Sequence, residues 1–218
     1  VKLNLGCDDI RPLDWINIDS SLNANLQRIP FLGKLLSKVM GLKEYNTSNL
    51  VYMNLNNQWS YKDNSVDIVY SSHLFEHLTL KSANLYLSEA YRVLKPEGVL
   101  RIVVPDLYKI CRKYIDEYNT DSFSGNSTDF IMWAINMHKE GQYGNIGLIK
   151  KLFLEIQGYP HQHKYMYDDK SLCGLVETYE FKDINFYSYG VSGSIEDIVS
   201  LEGTKESYLS IYLEAKKY

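Results

Sequence analysis

The sequence predicts an α/β fold built on an open, mostly parallel sheet. Apolar strand-like runs alternate with stretches of helical periodicity, the order expected when parallel strands are joined by crossover helices. Two of the runs, Val66–Ser72 and Val99–Val104, are nearly unbroken apolar or β-branched segments, as strands covered on both faces require. The opening stretch, KLNLGCDDIRPLDWINID at residues 2–19, reads as one strand that stops at Gly6 and a second that stops at Asp19. In such sheets ligands sit beyond the carboxyl ends of the strands, where strand order reverses. Glycine lets a ligand approach the main chain there, and an aspartate can accept hydrogen bonds from both hydroxyls of a ribose. The pair therefore points to a nucleoside.

Bulk composition narrows the classes. With 218 residues, 45% hydrophobic and 23% charged, the chain has the make-up of a globular protein with room for one α/β domain and an insertion. A net charge of -4 gives no broad basic footprint for nucleic acid and favours a small-molecule substrate. Cys7, Cys111 and Cys173 are odd in number and lack paired spacing, so they are expected as core thiols in a reducing compartment. No apolar run reaches membrane-spanning length, and the first strand begins at once, with no room for a signal peptide. The expectation is a cytoplasmic protein without membrane insertion. The 19 tyrosines are the compositional oddity, and their cluster between Tyr108 and Tyr189 either lines a polar organic pocket or serves as half-buried packing.

Taken in order, Lys2–Leu5 is the first strand and Trp15–Ile18 the second. The nine residues between them, Gly6–Asp14, fall short of the dozen or so that a helical crossover needs, so the first crossover helix is expected to be short or missing. Phe31, Leu32, Leu35, Leu36, Val39 and Met40 recur at helical spacing and predict a short amphipathic helix packed on the sheet. Leu50–Leu55 reads as a third strand ending near Asn54, followed by the turn-rich YKDNS and the strand Val66–Ser72. A helix stripe from Leu80 to Leu94 is closed by Pro96 and Gly98, which hand the chain to Val99–Val104. Residues 107–165 then break the alternation with helical pieces around Leu107–Tyr118, Phe130–Met137 and Ile146–Ile156. They predict a helical cap inserted after the fifth strand of a single domain spanning 1–218. Asp168 or Asp169 can cap a helix carrying Leu172, Leu175, Val176 and Tyr179, and Ile184–Tyr189 and Tyr208–Ala215 read as closing strands.

With these elements placed, the chain resembles the class I S-adenosylmethionine-dependent methyltransferases, and within them the small predicted methyltransferases associated with polysaccharide biosynthesis. The matching residues are LNLGC at 3–7, WINID at 15–19, DNSVDIVYSSHLFEHL at 63–78 and EAYRVLKPEGVLRIVVPDL at 89–107, with weaker echoes at 163–172 and 212–217. The resemblance implies a Rossmann-like, seven-stranded, mostly parallel sheet with an antiparallel last strand and S-adenosylmethionine lying across its strand ends. It implies that Gly6 lies under the methionine part of the cofactor and that Asp19 holds the ribose, with Leu5, Cys7 and Leu55 as further cofactor contacts. Asn54 would sit near the adenine, and Ser72 and His73 would border the methionine moiety and the transferred methyl group. Asp8 departs from the family, which carries a second glycine there, and Arg11 is close enough in sequence to compensate its charge.

A sulfonium methyl is already electrophilic, so the protein must align an acceptor behind it and take the acceptor's proton. His73, at the end of the fourth strand, is the first candidate for a base; the other reading is a hydrogen bond to the cofactor or a loop carbonyl. His77 is expected to hold loop carbonyls, while His161 and His163 lie in a loop returning from the cap, where His163 is a candidate catalytic contact. Asp106 either binds an acceptor hydroxyl or starts the following helix. A metal site from His161, His163 and Asp168 lacks an assured third ligand, and no metal is assigned. The expected partner is a small-molecule or glycan substrate, methylated on oxygen, with no nucleic acid. The alternative is a catalytically inactive binding or scaffold protein on the same fold. A nicotinamide enzyme is remote, because GCDDIR cannot supply the G-x-G-x-x-G turn.

Overall fold

A computed structural model describes residues 1–21, 29, 33, 35, 48–120, 126–135, 162–202 and 207–218. Its centre is a six-stranded sheet of β1 (Lys2–Leu5), β2 (Ile16–Ile18), β3 (Val66–Ser72), β4 (Leu94–Pro105), β5 (Lys182–Tyr187) and β6 (Ser210–Lys216), in the order β2-β1-β3-β4-β6-β5. The pairs β1–β2, β1–β3 and β3–β4 are parallel, and β6 runs antiparallel to both β4 and β5. Around the sheet lie α1 (Leu80–Val93), α2 (Leu107–Thr120), α3 (Asn126–Ala134) and α4 (Asp169–Glu177).

Among the described residues the sheet has six strands, where seven were expected. The stretch 50–55 contributes only a parallel bridge between Val51 and Ile18 at the outer edge of β2. Polar residues end it: the Asn54 side chain accepts from the Asn56 amide at 3.0 Å and its carbonyl from the Asn57 amide at 3.2 Å, which turns the chain away from the sheet. β4 is longer than the predicted Val99–Val104 because Leu94 already pairs with Val66. Val99 pairs with Ile68, so Lys95–Gly98 bulge out of register, tied down by Glu97 N–H to Lys217 O (2.7 Å) and Lys217 N–H to Gly98 O (3.0 Å). Of the helical pieces expected within residues 107–165, two correspond to α2 and α3; those expected at 146–156 and most of 31–40 lie outside the described residues.

No helix joins β1 to β2; residues 6–15 form turns. Two buried asparagines, Asn4 and Asn17, face each other in register across the two strands. The Asn4 amide donates to Asn17 Oδ1 (3.0 Å) and Ile10 O (2.9 Å), and the Asn17 amide donates to Pro12 O (3.0 Å) and Trp15 O (3.1 Å). Side chains thus satisfy loop carbonyls that a helix would have satisfied internally.

The main core covers the α1 side of the sheet. Phe75, fully buried, stacks edge-on against Tyr86 at 5.2 Å and tilts onto Tyr167 at 5.3 Å, while Trp59 meets Tyr86 at 5.4 Å. Thr79 caps α1, its hydroxyl accepting from the Ser82 amide, and Asp168 caps α4 in a reciprocal capping box with Ser171. Asn17→Ala is expected to cost about 1–3 kcal/mol of stability, since it strands buried loop carbonyls and the Asn4 amide. Urea denaturation checks this, and an unchanged midpoint would mean that the loop holds itself.

Candidate functional site

The register sets the site. Leu5 pairs with both Ile18 and Ser71, and Ser72 pairs with Val103, so Gly6, Asp19 and Ser72 leave β1, β2 and β3 side by side. The Gly6 and Cys7 amides both donate to Ile18 O, at 2.8 and 3.2 Å, which closes the end of β1 onto that of β2. Two strand ends expected to converge therefore do.

What Gly6 makes room for is a side chain of the protein. Its φ is +67°, and a Cβ there would come within 3.1 Å of Leu74, which lies against it from the turn after β3. Asp8, standing where a glycine was expected, has φ +40°, a left-handed backbone that aspartate tolerates better than most residues. Arg11 Nε donates to Asp8 O at 2.6 Å and holds this bend. Asp19 Oδ1 accepts from the Ser21 amide at 2.6 Å. Cys7 is buried, and burial first, then the negative charge of Asp19, pushes its thiol up to about 11.

Leu5 and Leu55 are buried apolar residues, while Asn54 is exposed and spends its side-chain oxygen on its own turn. Ser72 is half-buried at the tip of β3. His73 follows with φ +50°, its amide donating to Val103 O at 2.9 Å. Its side chain is 39% exposed, with Nδ1 3.3 Å from Glu76 Oε1 and Nε2 3.4 Å from Ser210 Oγ. Asp106 takes the second of its two expected roles: it is buried, its Oδ1 accepts from the Lys109 amide at 3.2 Å, and Lys109 Nζ lies 3.2 Å from Oδ2, so it starts α2.

His163 stands beside the turn Phe75–His77. Its Nε2 lies 4.0 Å from Glu76 Oε1, its Nδ1 lies 3.2 Å from Met166 Sδ, and burial holds its pKa below the ordinary histidine value. His77 holds a loop carbonyl, donating from Nδ1 to Gln162 O at 3.1 Å. His161 lies outside the described residues. Sequence reasoning passed over Glu76 as a functional residue. Its side chain is 1% exposed at the meeting point of three histidines. Leu74 was missed as well, because nothing local says which way a turn residue points.

Residues 36–102 match the methyltransferase domain family. The fold is that of S-adenosylmethionine-dependent methyltransferases. A possible histamine N-methyltransferase from Thermotoga maritima is similar over 100% of this chain and 82% of its own, with 14% identity and a TM-score of 0.50. An S-adenosylmethionine-dependent methyltransferase from Methanosarcina mazei is similar over 99% of this chain and 91% of its own, with 16% identity and a TM-score of 0.50. No curated protein matches the sequence significantly. S-adenosylmethionine is the cofactor of the matched family. No helix among the described residues is long and apolar enough to cross a membrane.

The raised thiol of Cys7 has a direct consequence. Below its pKa the group is neutral and a poor nucleophile, so at pH 8 iodoacetamide should label exposed Cys111 well before Cys7. Peptide mass spectrometry over a time course checks the order, and equal labelling would contradict the burial.

Proposed function

We propose that the protein transfers the methyl group of S-adenosylmethionine to a hydroxyl of a sugar or similar small polar molecule. The observation that carries this is the convergence of Gly6, Asp19 and Ser72 at one sheet edge, in a sheet of methyltransferase type. The donor set suits the cofactor: Asp19 would accept from the ribose hydroxyls, and Asn54 and Leu55 would border the adenine. Leu5, Gly6 and Cys7, walled by Leu74, would lie along the methionine chain beside Ser72. When bound, the cofactor supplies an electrophilic methyl group.

The remaining work falls to residues of this chain. His73 sits where the acceptor would stand, its ring positioned between Ser210 and Glu76, and takes the acceptor's proton on a ring nitrogen. Asp106 sets the start of α2, and His163, 4.0 Å from Glu76, would border the acceptor. Support for a sugar comes from the tyrosines between Tyr108 and Tyr189, whose faces and hydroxyls suit sugar rings, and from the resemblance to polysaccharide-associated methyltransferases. A non-catalytic binding protein on the same fold is the second reading, favoured by Asp8 at the glycine position and by the missing crossover helix.

Two variants and one assay test the proposal. Asp19→Ala should weaken S-adenosylmethionine binding in calorimetry about tenfold to a hundredfold, the worth of a charged hydrogen bond. His73→Asn, whose amide tolerates the left-handed backbone, should leave cofactor affinity intact and slow methyl transfer to a glycan acceptor about a hundredfold to ten-thousandfold. A wild-type protein that binds neither S-adenosylmethionine nor its demethylated product at millimolar concentration overturns the reading. Intact binding without transfer to any acceptor selects the non-catalytic one.

A further inference from the structure

We propose that Glu76, His77 and His163 form a binding site for a divalent transition metal ion, zinc foremost. Each offers one ligand atom, and the three atoms lie within 4.8 Å of one another. Imidazole nitrogen and carboxylate oxygen are the donors zinc takes in three-ligand sites, with bonds of about 2.0–2.2 Å and ligands therefore about 3.3 Å apart. The present cluster, with ligand atoms up to 4.8 Å apart, is wider than that by about 1.5 Å at most.

An independent observation points to a cation. Glu76 is 1% exposed, and neither of its carboxylate oxygens has a hydrogen-bond partner among the described residues. His73 Nδ1 stands 3.3 Å from Oε1, in ion-pair range but without hydrogen-bond geometry. A buried carboxylate keeps its charge only when something positive or hydrogen-donating meets it.

The histidines are arranged as metal ligands are. His77 Nδ1 faces a carbonyl, Gln162 O at 3.1 Å, which can only accept, so the proton of the neutral ring is on Nδ1 and the lone pair on Nε2. His163 Nδ1 faces the Met166 thioether at 3.2 Å, which likewise leaves a lone pair on Nε2, 4.0 Å from Glu76 Oε1. Two acceptors face each other across a gap too long for a hydrogen bond, and a cation between them resolves the repulsion. The backbone fixes the frame: Lys164 and Tyr165 amides donate to Glu76 O at 2.7 and 3.2 Å, so the loop that carries His163 is fastened to the turn that carries the other two ligands. From sequence, a site of His161, His163 and Asp168 was weighed and no metal assigned; Asp168 is committed to capping α4.

Three protein ligands leave a fourth position for water or a substrate oxygen, the pattern of catalytic rather than structural zinc. Because His73 contacts the same carboxylate, the ion would sit beside the proposed base, where it could hold an acceptor hydroxyl. That role rests on the methyl-transfer reading; the metal site itself does not.

The test is a titration of the chelator-stripped 218-residue chain with Zn2+ by calorimetry and with Co2+ by visible absorption. One equivalent should bind, and Zn2+ should raise the melting temperature. Glu76→Gln and His163→Asn should each weaken Zn2+ affinity by at least about a hundredfold and abolish the thermal shift. No saturable binding by the wild-type chain, or one equivalent retained unchanged in both variants, overturns the site. S-adenosylmethionine affinity on the same samples separates the two proposals: if it is intact while metal binding is absent, the metal site alone falls. If it is absent while metal binding is present, the methyl-transfer reading alone falls.

Discussion

Two parallel strands joined by a ten-residue link that holds no helix stay together only if that link is held from inside, and the Asn4–Asn17 pair does this. Ordinarily a crossover helix covers the sheet and satisfies its own backbone. Here side-chain amides reach the carbonyls of Ile10, Pro12 and Trp15, and the ends of β1 and β2 are then cinched by the Gly6 and Cys7 amides on Ile18 O. The candidate cofactor edge depends on that closure, because it fixes how far Gly6 lies from Asp19. The polar residues in the middle of the LNL and INI runs, Asn4 and Asn17, are the fastening.

Buried charge is handled in two contrasting ways. Arg101, wholly buried on β4, donates to Glu214 at 2.7 Å on the neighbouring strand and through Nε at 2.8 Å to Glu202. Two carboxylates on one guanidinium leave an excess negative charge, and the surplus acceptor capacity is met by the Gly190 amide at 2.7 Å, the Gly193 amide at 3.2 Å and the Ser192 hydroxyl. The set is closed and fastens residues 188–202 over the sheet. Glu76, as deeply buried, receives no such donors, only ring nitrogens.

Legibility in the sequence followed how local the cause was. β3 and α1 could be read because continuous apolar runs and a 3.6-residue stripe are self-contained signals. The third strand was overread, since Leu50–Leu55 has the right apolar content but the Asn-rich stretch after Val51 turns on itself. The start of β4 was underread, because Pro and Gly in LKPEG look like a turn between elements when they form a bulge within one. At the site, the strand-end residues Gly6, Asp19, Ser72 and His73 were legible from strand endings alone. Glu76 was not, since its burial is created by residues 162–167, which arrive from more than eighty positions away.

The turn after β3 shows why that burial asks for an explanation beyond packing. Left-handed φ at His73 redirects the chain so that Phe75 points into the aromatic cluster of Tyr86 and Tyr167. Full burial of a phenylalanine is worth roughly 1.5–3 kcal/mol. Its neighbour Glu76 is carried inward by the same turn, and desolvating a carboxylate costs several kcal/mol even after relaxation. Phe75 alone does not offset Glu76, and a glutamine there would lose little of the packing. A carboxyl side chain at this position, against that balance and beside three imidazoles, makes physical sense when a positive partner completes it.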